Sequence, residues 1–262
     1  MIRFPGIIID KKAGDKQWGF TALSEPRFVP GSERGVLVCH GFGGTPANMR
    51  CLVDAAAEQG CTVEAPLLTG HASTLADMER AGSRIWQADV DAAFEKLVSN
   101  GCTGICLCGL SMGALLMADL AARRCADRRI KGVVLICPPL KMRPYLNISS
   151  RFAGLIPYVL TSESFKPDPD MEMYYGMATR KLADIRRLAK AVGDTASRIK
   201  APVLLVEAGL DNRVHPSTYP ILEEELGLSG HTVFPEAPHG IPYSENREEL
   251  AELFGAFLRQ NV

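Results

Sequence analysis

Ile105-Cys106-Leu107-Cys108-Gly109-Leu110-Ser111-Met112-Gly113-Ala114-Leu115-Leu116-Met117-Ala118-Asp119-Leu120 runs from a short apolar segment, through a serine bracketed by glycines, into a helix-like segment. Read as strand, turn and helix, the stretch puts Ser111 at the apex of a G-x-S-x-G elbow, which pushes a serine hydroxyl out of the backbone into a cleft. Glycines at 109 and 113 suit a turn packed too tightly for side chains. A small-residue turn holding a serine by chance has the same five letters, so the reading depends on its surroundings.

Working outward, Val36-Leu37-Val38-Cys39 reads as a buried strand. Thr45-Pro46 opens a helix that Gly60 closes, and Thr62-Val63-Glu64 is a second strand. Trp86, Val90, Ala93, Phe94 and Leu97 share one helix face, and Gly101 ends that helix. Val133-Val134-Leu135-Ile136-Cys137 and Pro202-Val203-Leu204-Leu205-Val206 are further strands, Thr232-Val233-Phe234 a short one, and Ser244 to Leu258 a closing helix with Leu250, Phe254 and Leu258 inward. Alternating strands and helices predict an α/β fold with a mostly parallel sheet covered by helices on both faces.

The alternation breaks at Pro138-Pro139. Residues 139–199 show no buried strand pattern, only an apolar stretch from Phe152 to Leu160, an acidic proline loop at Pro167-Asp168-Pro169-Asp170, and an amphipathic helix with Leu182, Ile185, Leu188, Ala189 and Val192 on one side, ended by Gly193. An insertion this long predicts a cap over a core formed by residues 1–138 and 200–262. Near the start, Ile7-Ile8-Ile9 and Trp18-Gly19-Phe20-Thr21 flank a turn-like segment and predict a hairpin.

With 262 residues, 47% apolar and 23% charged, the chain is long enough for one large core. A net charge of −1 gives no basic surface for nucleic acid or for an anionic membrane. No segment approaches the roughly 18 apolar residues of a membrane span, and the first ten residues do not form a signal peptide. Eight cysteines might suggest disulfides, but Cys39, Cys106, Cys108 and Cys137 lie in strand-like runs, where free cysteine behaves as a small hydrophobe. They read as reduced thiols of a cytoplasmic protein, and no second pair has zinc-ligand spacing, so neither metal nor cofactor is expected.

A serine hydroxyl needs a base, and the base needs an orienting carboxylate. His239, in Ala237-Pro238-His239-Gly240 after the last strand, is the candidate base. His231 reads as an exposed turn residue, and His215 as a residue lining the site. Asp211 follows the Val203 strand and is the candidate acid; Glu207 is its rival, placed inside the strand end. Ser111, Asp211 and His239 would then emerge at one sheet edge, beyond the carboxyl ends of the strands. His40-Gly41-Phe42-Gly43-Gly44-Thr45-Pro46 follows the first core strand. Its Phe42 N–H, with the N–H of Met112, would hold an oxyanion, and Gly41 and Gly43 would let substrate approach the backbone. A phosphate-binding reading fails because G-x-G-x-x-G and G-x-x-x-x-G-K-[ST] are both absent. His40 reads as a support beneath this loop and Gly70-His71 as a buttress.

These segments, with Asn48-Met49-Arg50, Pro66-Leu67-Leu68-Thr69-Gly70-His71 and Trp86, resemble the α/β-hydrolase superfamily, and more narrowly bacterial monoacylglycerol lipases and small carboxylesterases. The resemblance implies an α/β-hydrolase fold and a serine esterase acting on small or medium acyl esters, monoacylglycerols among them. It implies Ser111, Asp211 and His239 as triad, and Phe42 and Met112 as oxyanion donors. His71, Ile156 and Val214 join Gly41 and Gly43 as expected substrate contacts. Ala72 departs from the Gly-His-Gly usual at that place. A thioesterase, an acyltransferase or a hydroxycinnamoyl esterase would use the same residues; a non-catalytic binding protein would need none of them. The expected partner is a small ester, with no nucleic acid and no stable membrane insertion; oligomeric state is left open.

Overall fold

The computed structural model describes residues 2–4, 7–10, 12–146, 156–161, 172–174 and 176–262. The acidic proline loop at 167–170 and the start of the apolar stretch, 152–155, lie outside the described residues.

Seven strands form the central sheet: β3 (Arg27–Val29), β4 (Arg34–Cys39), β5 (Thr62–Ala65), β6 (Gly104–Leu110), β7 (Ile130–Ile136), β10 (Val203–Ala208) and β11 (Thr232–Phe234). Their order is β11-β10-β7-β6-β4-β5-β3, parallel throughout except for β3, which runs antiparallel to β5. The inner strands are apolar on both faces, Val36, Leu37, Ile105, Leu107, Val133 and Leu135 all being fully buried, as a sheet covered by helices on both sides requires. The helices are α1 (Arg50–Glu58), α2 (Leu75–Arg80), α3 (Ser83–Ser99), α4 (Met112–Arg123), α5 (Lys181–Thr195), α6 (Thr218–Leu226) and α7 (Arg247–Asn261). Helix α1 packs on α7, while α4 packs on both α3 and α5. The predicted faces are the buried ones: Trp86, Val90, Phe94 and Leu97 on α3, and Leu250, Phe254 and Leu258 on α7. None of the described helices is long and apolar enough to cross a membrane.

Three expectations change. Ile7–Ile9 does not pair with Trp18–Thr21. It forms β2, flanked by β1 (Ile2–Phe4) and by β8 (Tyr158–Thr161), which pairs in turn with β9 (Gly176–Ala178) in a four-stranded antiparallel sheet. Residues 139–199 therefore do contain strands, with Tyr158, Leu160 and Ala178 buried, and the first strands of the chain join them rather than the central sheet. Strands of three and four residues are too short to show alternation, and the partner of β2 lies about 150 residues away. Helix α5 passes through Gly193 to Thr195; a Cβ at Gly193 would meet nothing nearer than Leu140 at 3.6 Å, so this glycine marks no turn.

Candidate active site

The elbow after β6 is as tight as its glycines suggested. A Cβ on Gly109 would lie 2.4 Å from the Gly113 backbone, and one on Gly113 would lie 2.4 Å from the Cys39 carbonyl oxygen at the end of β4. Between them Ser111 has φ 55° and ψ −119°, a conformation that non-glycine residues adopt only when the surroundings hold it. Here the Ser111 N–H donates to the Ile136 carbonyl on β7 at 2.8 Å, and its own carbonyl accepts from Leu115 N–H.

Asp211 follows β10. Its Oδ1 accepts from the amides of Arg213 (2.7 Å) and Val214 (3.0 Å), and its Oδ2 accepts from His239 Nδ1 at 2.6 Å. Burial alone would raise the Asp211 pKa, but His239 and these two amides outweigh it and hold the carboxyl below its ordinary value. His239 sits on the loop after β11, kept against β10 by Leu210 N–H donating to Ala237 O at 3.0 Å. It is 6% exposed. Burial pushes its pKa below the ordinary imidazole value despite the opposing Asp211, which favours the neutral ring. With Nδ1 bonded to Asp211, His239 Nε2 is a buried atom with no hydrogen-bond partner among the described residues.

His239 and Ser111 line the same narrow cleft, with Gly41, Phe42, Leu110 and Met173 around them. Phe42 tops a turn closed by Gly44 N–H donating to Gly41 O at 3.1 Å. Gly41 has no room for a larger side chain without crowding Ser111 Cβ, 3.3 Å from where a Cβ would stand, and Gly43 has φ 76°. Met112 is the first residue of α4, so its N–H has no acceptor within the helix and belongs to the positive end of the helix dipole.

The support beneath Phe42 is aromatic. His40 is fully buried; its Nε2 accepts from Leu68 N–H at 3.1 Å, which leaves Nδ1 to donate to Gly41 O at 2.9 Å. Burial pushes its pKa down to about 4. His71 packs against His40, Phe42 and Trp86, with ring centroids 4.9, 6.0 and 6.0 Å apart, and burial pushes its pKa down to about 3. His71 thus lies behind the Phe42 loop. Ala72, the departure from Gly-His-Gly, has φ 51°, the region where glycine is at ease.

The other expected contacts fall elsewhere. Val214 is buried, bridges to Met142 and gives its amide to Asp211. The Ile156 carbonyl accepts from the Thr179 hydroxyl, and Ile156 is not among the described residues lining the cleft. Glu207 is bound to His231 Nε2 at 2.6 Å, and His231 Nδ1 meets Glu223 at 2.7 Å. His231 is therefore a clamp stacked on Tyr219, not an exposed turn residue. His215 is bonded locally to Ser217 at 2.8 Å. Cys137, Asp211 and His239 hold their ligating atoms within 4.8 Å of one another, but Asp211 Oδ2 and His239 Nδ1 are already bonded to each other. All eight cysteines are free thiols.

Four cleft residues were given no site role in the sequence analysis: Asn48, Met173, Arg213 and Tyr243. Arg213 stands two places after the candidate acid, and that position alone could have drawn attention to it. A segment of the insertion also reaches the site. Tyr174 N–H donates to Gly43 O at 2.9 Å, Thr45 Oγ1 donates to Glu172 O at 2.8 Å, and Met173 between them enters the cleft.

Known proteins share this family and fold. The family described as alpha/beta hydrolase matches residues 36–253. A thermostable monoacylglycerol lipase of Bacillus sp. (strain H-257) is 31% identical over 79% of this chain and 82% of its own length. A carboxylesterase of Bacillus subtilis (strain 168) is 24% identical over 90% of this chain and 96% of its own. Among solved structures, one from a study of two metagenome-derived lipolytic enzymes, LipS and LipT, superposes with a TM-score of 0.81 at 27% identity, covering 91% of this chain and 98% of that one. The Paleococcus ferrophilus monoacylglycerol lipase shares the fold, with a TM-score of 0.71 at 21% identity over 90% of this chain and 98% of that one.

Proposed function

The chain belongs to the alpha/beta hydrolase family, as an ester hydrolase of the lipase and carboxylesterase kind, and we propose that it cleaves small or medium acyl esters through Ser111, His239 and Asp211. The observation that carries this reading is the pair of His239 Nδ1 and Asp211 Oδ2 at 2.6 Å, with the other ring nitrogen unpaired in the cleft that holds Ser111. His239 takes the Ser111 proton as Oγ bonds to the ester carbonyl carbon. The amides of Phe42 and Met112 receive the oxyanion. As the tetrahedral centre collapses, the carbon–oxygen bond to the alcohol breaks and His239 returns the proton to the departing oxygen. Water, deprotonated by His239, then attacks the acyl-serine; Ser111 recovers its proton and the carboxylic acid leaves. Asp211 holds the ring orientation and stabilises the imidazolium between these steps.

Residues 139–199 act as a lid on a core of 1–138 and 200–262, with β1 and β2 lending strands to the lid's sheet. Met173 and the bonds from Glu172 and Tyr174 to the Phe42 loop support that role. Monoacylglycerols are among the esters to be tried first, in view of the 31% identical lipase. Eight free thiols favour a reducing, cytoplasmic setting.

A fluorophosphonate probe should label the native protein and leave Ser111→Ala unlabelled. Equal labelling of the variant would refute the assignment of Ser111.

A further inference from the structure

Several arginines of this chain pair with a carboxylate: Arg27 with Asp54, Arg80 with Asp77, Arg124 with Asp91 and Glu95, Arg180 with Glu79, and Arg187 with Asp184. Arg213 stands at the Ser111 cleft. Its backbone is fixed on both sides, the N–H donating to Asp211 Oδ1 at 2.7 Å and the carbonyl accepting from Arg143 N–H at 2.9 Å. Arg213 is exposed and lines that cleft, and its guanidinium pairs with no carboxylate among the described residues.

No aspartate or glutamate lines that cleft among the described residues. Asp211 is committed to His239, and Glu172 to Thr21 and Ser24. The cleft instead holds a second unused donor. Asn48 is 1% exposed, and its Oδ1 accepts from Thr45 N–H at 2.9 Å, which fixes the amide with Nδ2 as a buried atom that has no partner among the described residues. Such an atom costs free energy unless something reaches it.

The position of Arg213 also carries a cost for catalysis. A cation near His239 works against the imidazolium that must form there. An anion arriving with the substrate would cancel that penalty, and a guanidinium presents a planar fork that matches a carboxylate.

We propose that the cleft selects esters that carry a carboxylate of their own, held by the Arg213 guanidinium, with Asn48 Nδ2 donating to a second substrate oxygen. This rests on the ester-hydrolase reading above and adds the charge of the substrate to it. The preferred substrates are hemiesters of short dicarboxylic acids, or esters of short hydroxy acids. The bond broken is the same acyl carbon–oxygen bond, and the substrate carboxylate leaves unchanged.

The test compares kcat/KM for two matched pairs: 4-nitrophenyl hemiglutarate against 4-nitrophenyl valerate, and carboxymethyl butyrate against propyl butyrate. The native protein should favour the anionic member of at least one pair by tenfold or more, a difference of about 1.4 kcal/mol. Arg213→Met should reduce that ratio at least tenfold, Arg213→Lys less, and added salt should erode it because the guanidinium is exposed. Turnover of the neutral esters with no anionic preference, or a preference untouched in Arg213→Met, overturns this inference and leaves the ester reading standing. Calorimetric titration with glutarate decides the matter independently of turnover. At least tenfold weaker binding in Arg213→Met supports the inference even if no ester is cleaved, the case in which the ester reading fails. Absent binding, or equal binding in both proteins, overturns it.

Discussion

Ser111 at φ 55° carries backbone strain of order 1–3 kcal/mol, kept in place by contacts from three strands: β6 leads into it, β7 accepts its N–H, and the end of β4 touches Gly113. The same economy governs His239. Burial lowers its pKa, and Asp211 limits the fall, which favours the neutral ring that the proposed base needs. The acid limb of kcat/KM should therefore have its midpoint below pH 6.5, and Asp211→Asn should lower kcat by about 10³–10⁴-fold with that limb displaced. Rates measured from pH 4 to 8 decide it; a midpoint above 6.5 in the native protein contradicts the burial argument. At this scale Ser111, Asp211, His239 and the Phe42 loop were legible because each sits in a short motif with its own backbone demand. Arg213 and Asn48 were not, since a guanidinium or an amide belongs to a site only through what surrounds it.

Elements long enough to repeat their pattern were readable from the chain. Helix α3 spans 17 residues and buries the face that its spacing named. The strands β8 and β9 have four and three residues and depend on partners distant in sequence. The clamp at the sheet edge is of the second kind. His231, at the start of β11, bridges Glu207 of β10 and Glu223 of α6. Burial by itself lowers the His231 pKa, but Glu223 and Glu207 outweigh it and raise the value above 6.5. A raised folded-state pKa gives stability that is fully present below about pH 6.5, the unfolded value, and is lost as pH rises through the folded one. Tm should fall on going from pH 6 to pH 9, and His231→Gln should flatten that part of the curve. The same slope in the variant would deny the clamp its role. Because the ring is partly exposed, solvent screening keeps the effect to a small part of total stability.

For the molecule as a whole, Glu172 is one of the joins between residues 139–199 and the rest. Its carboxylate accepts from Thr21 N–H at 3.0 Å and from the hydroxyls of Thr21 and Ser24, while its carbonyl accepts from Thr45. Burial by itself raises the Glu172 pKa; the Ser24 and Thr21 donors outweigh it and hold the value below 4.5. A depressed folded-state pKa gives stability present above about pH 4.5 and lost as pH falls through the folded value. Glu172→Ala should cost about 1–3 kcal/mol at pH 7, seen as a Tm lowered by several degrees, with the gap to the native protein closing as the pH falls to 4. A constant gap would assign the loss to packing. The alternation of apolar runs and helix faces was by itself enough to determine a parallel sheet with a serine elbow and the order Ser, Asp, His, because periodicity, turn glycines and chain order are local properties. Only the tertiary structure decided that the first strands pair with strands of residues 139–199, that His231 is a clamp, and that Arg213 lines the Ser111 cleft without a counter-charge among the described residues. Strand pairing, burial and charge neutralisation depend on residues brought together from distant parts of the chain, and no local pattern records them.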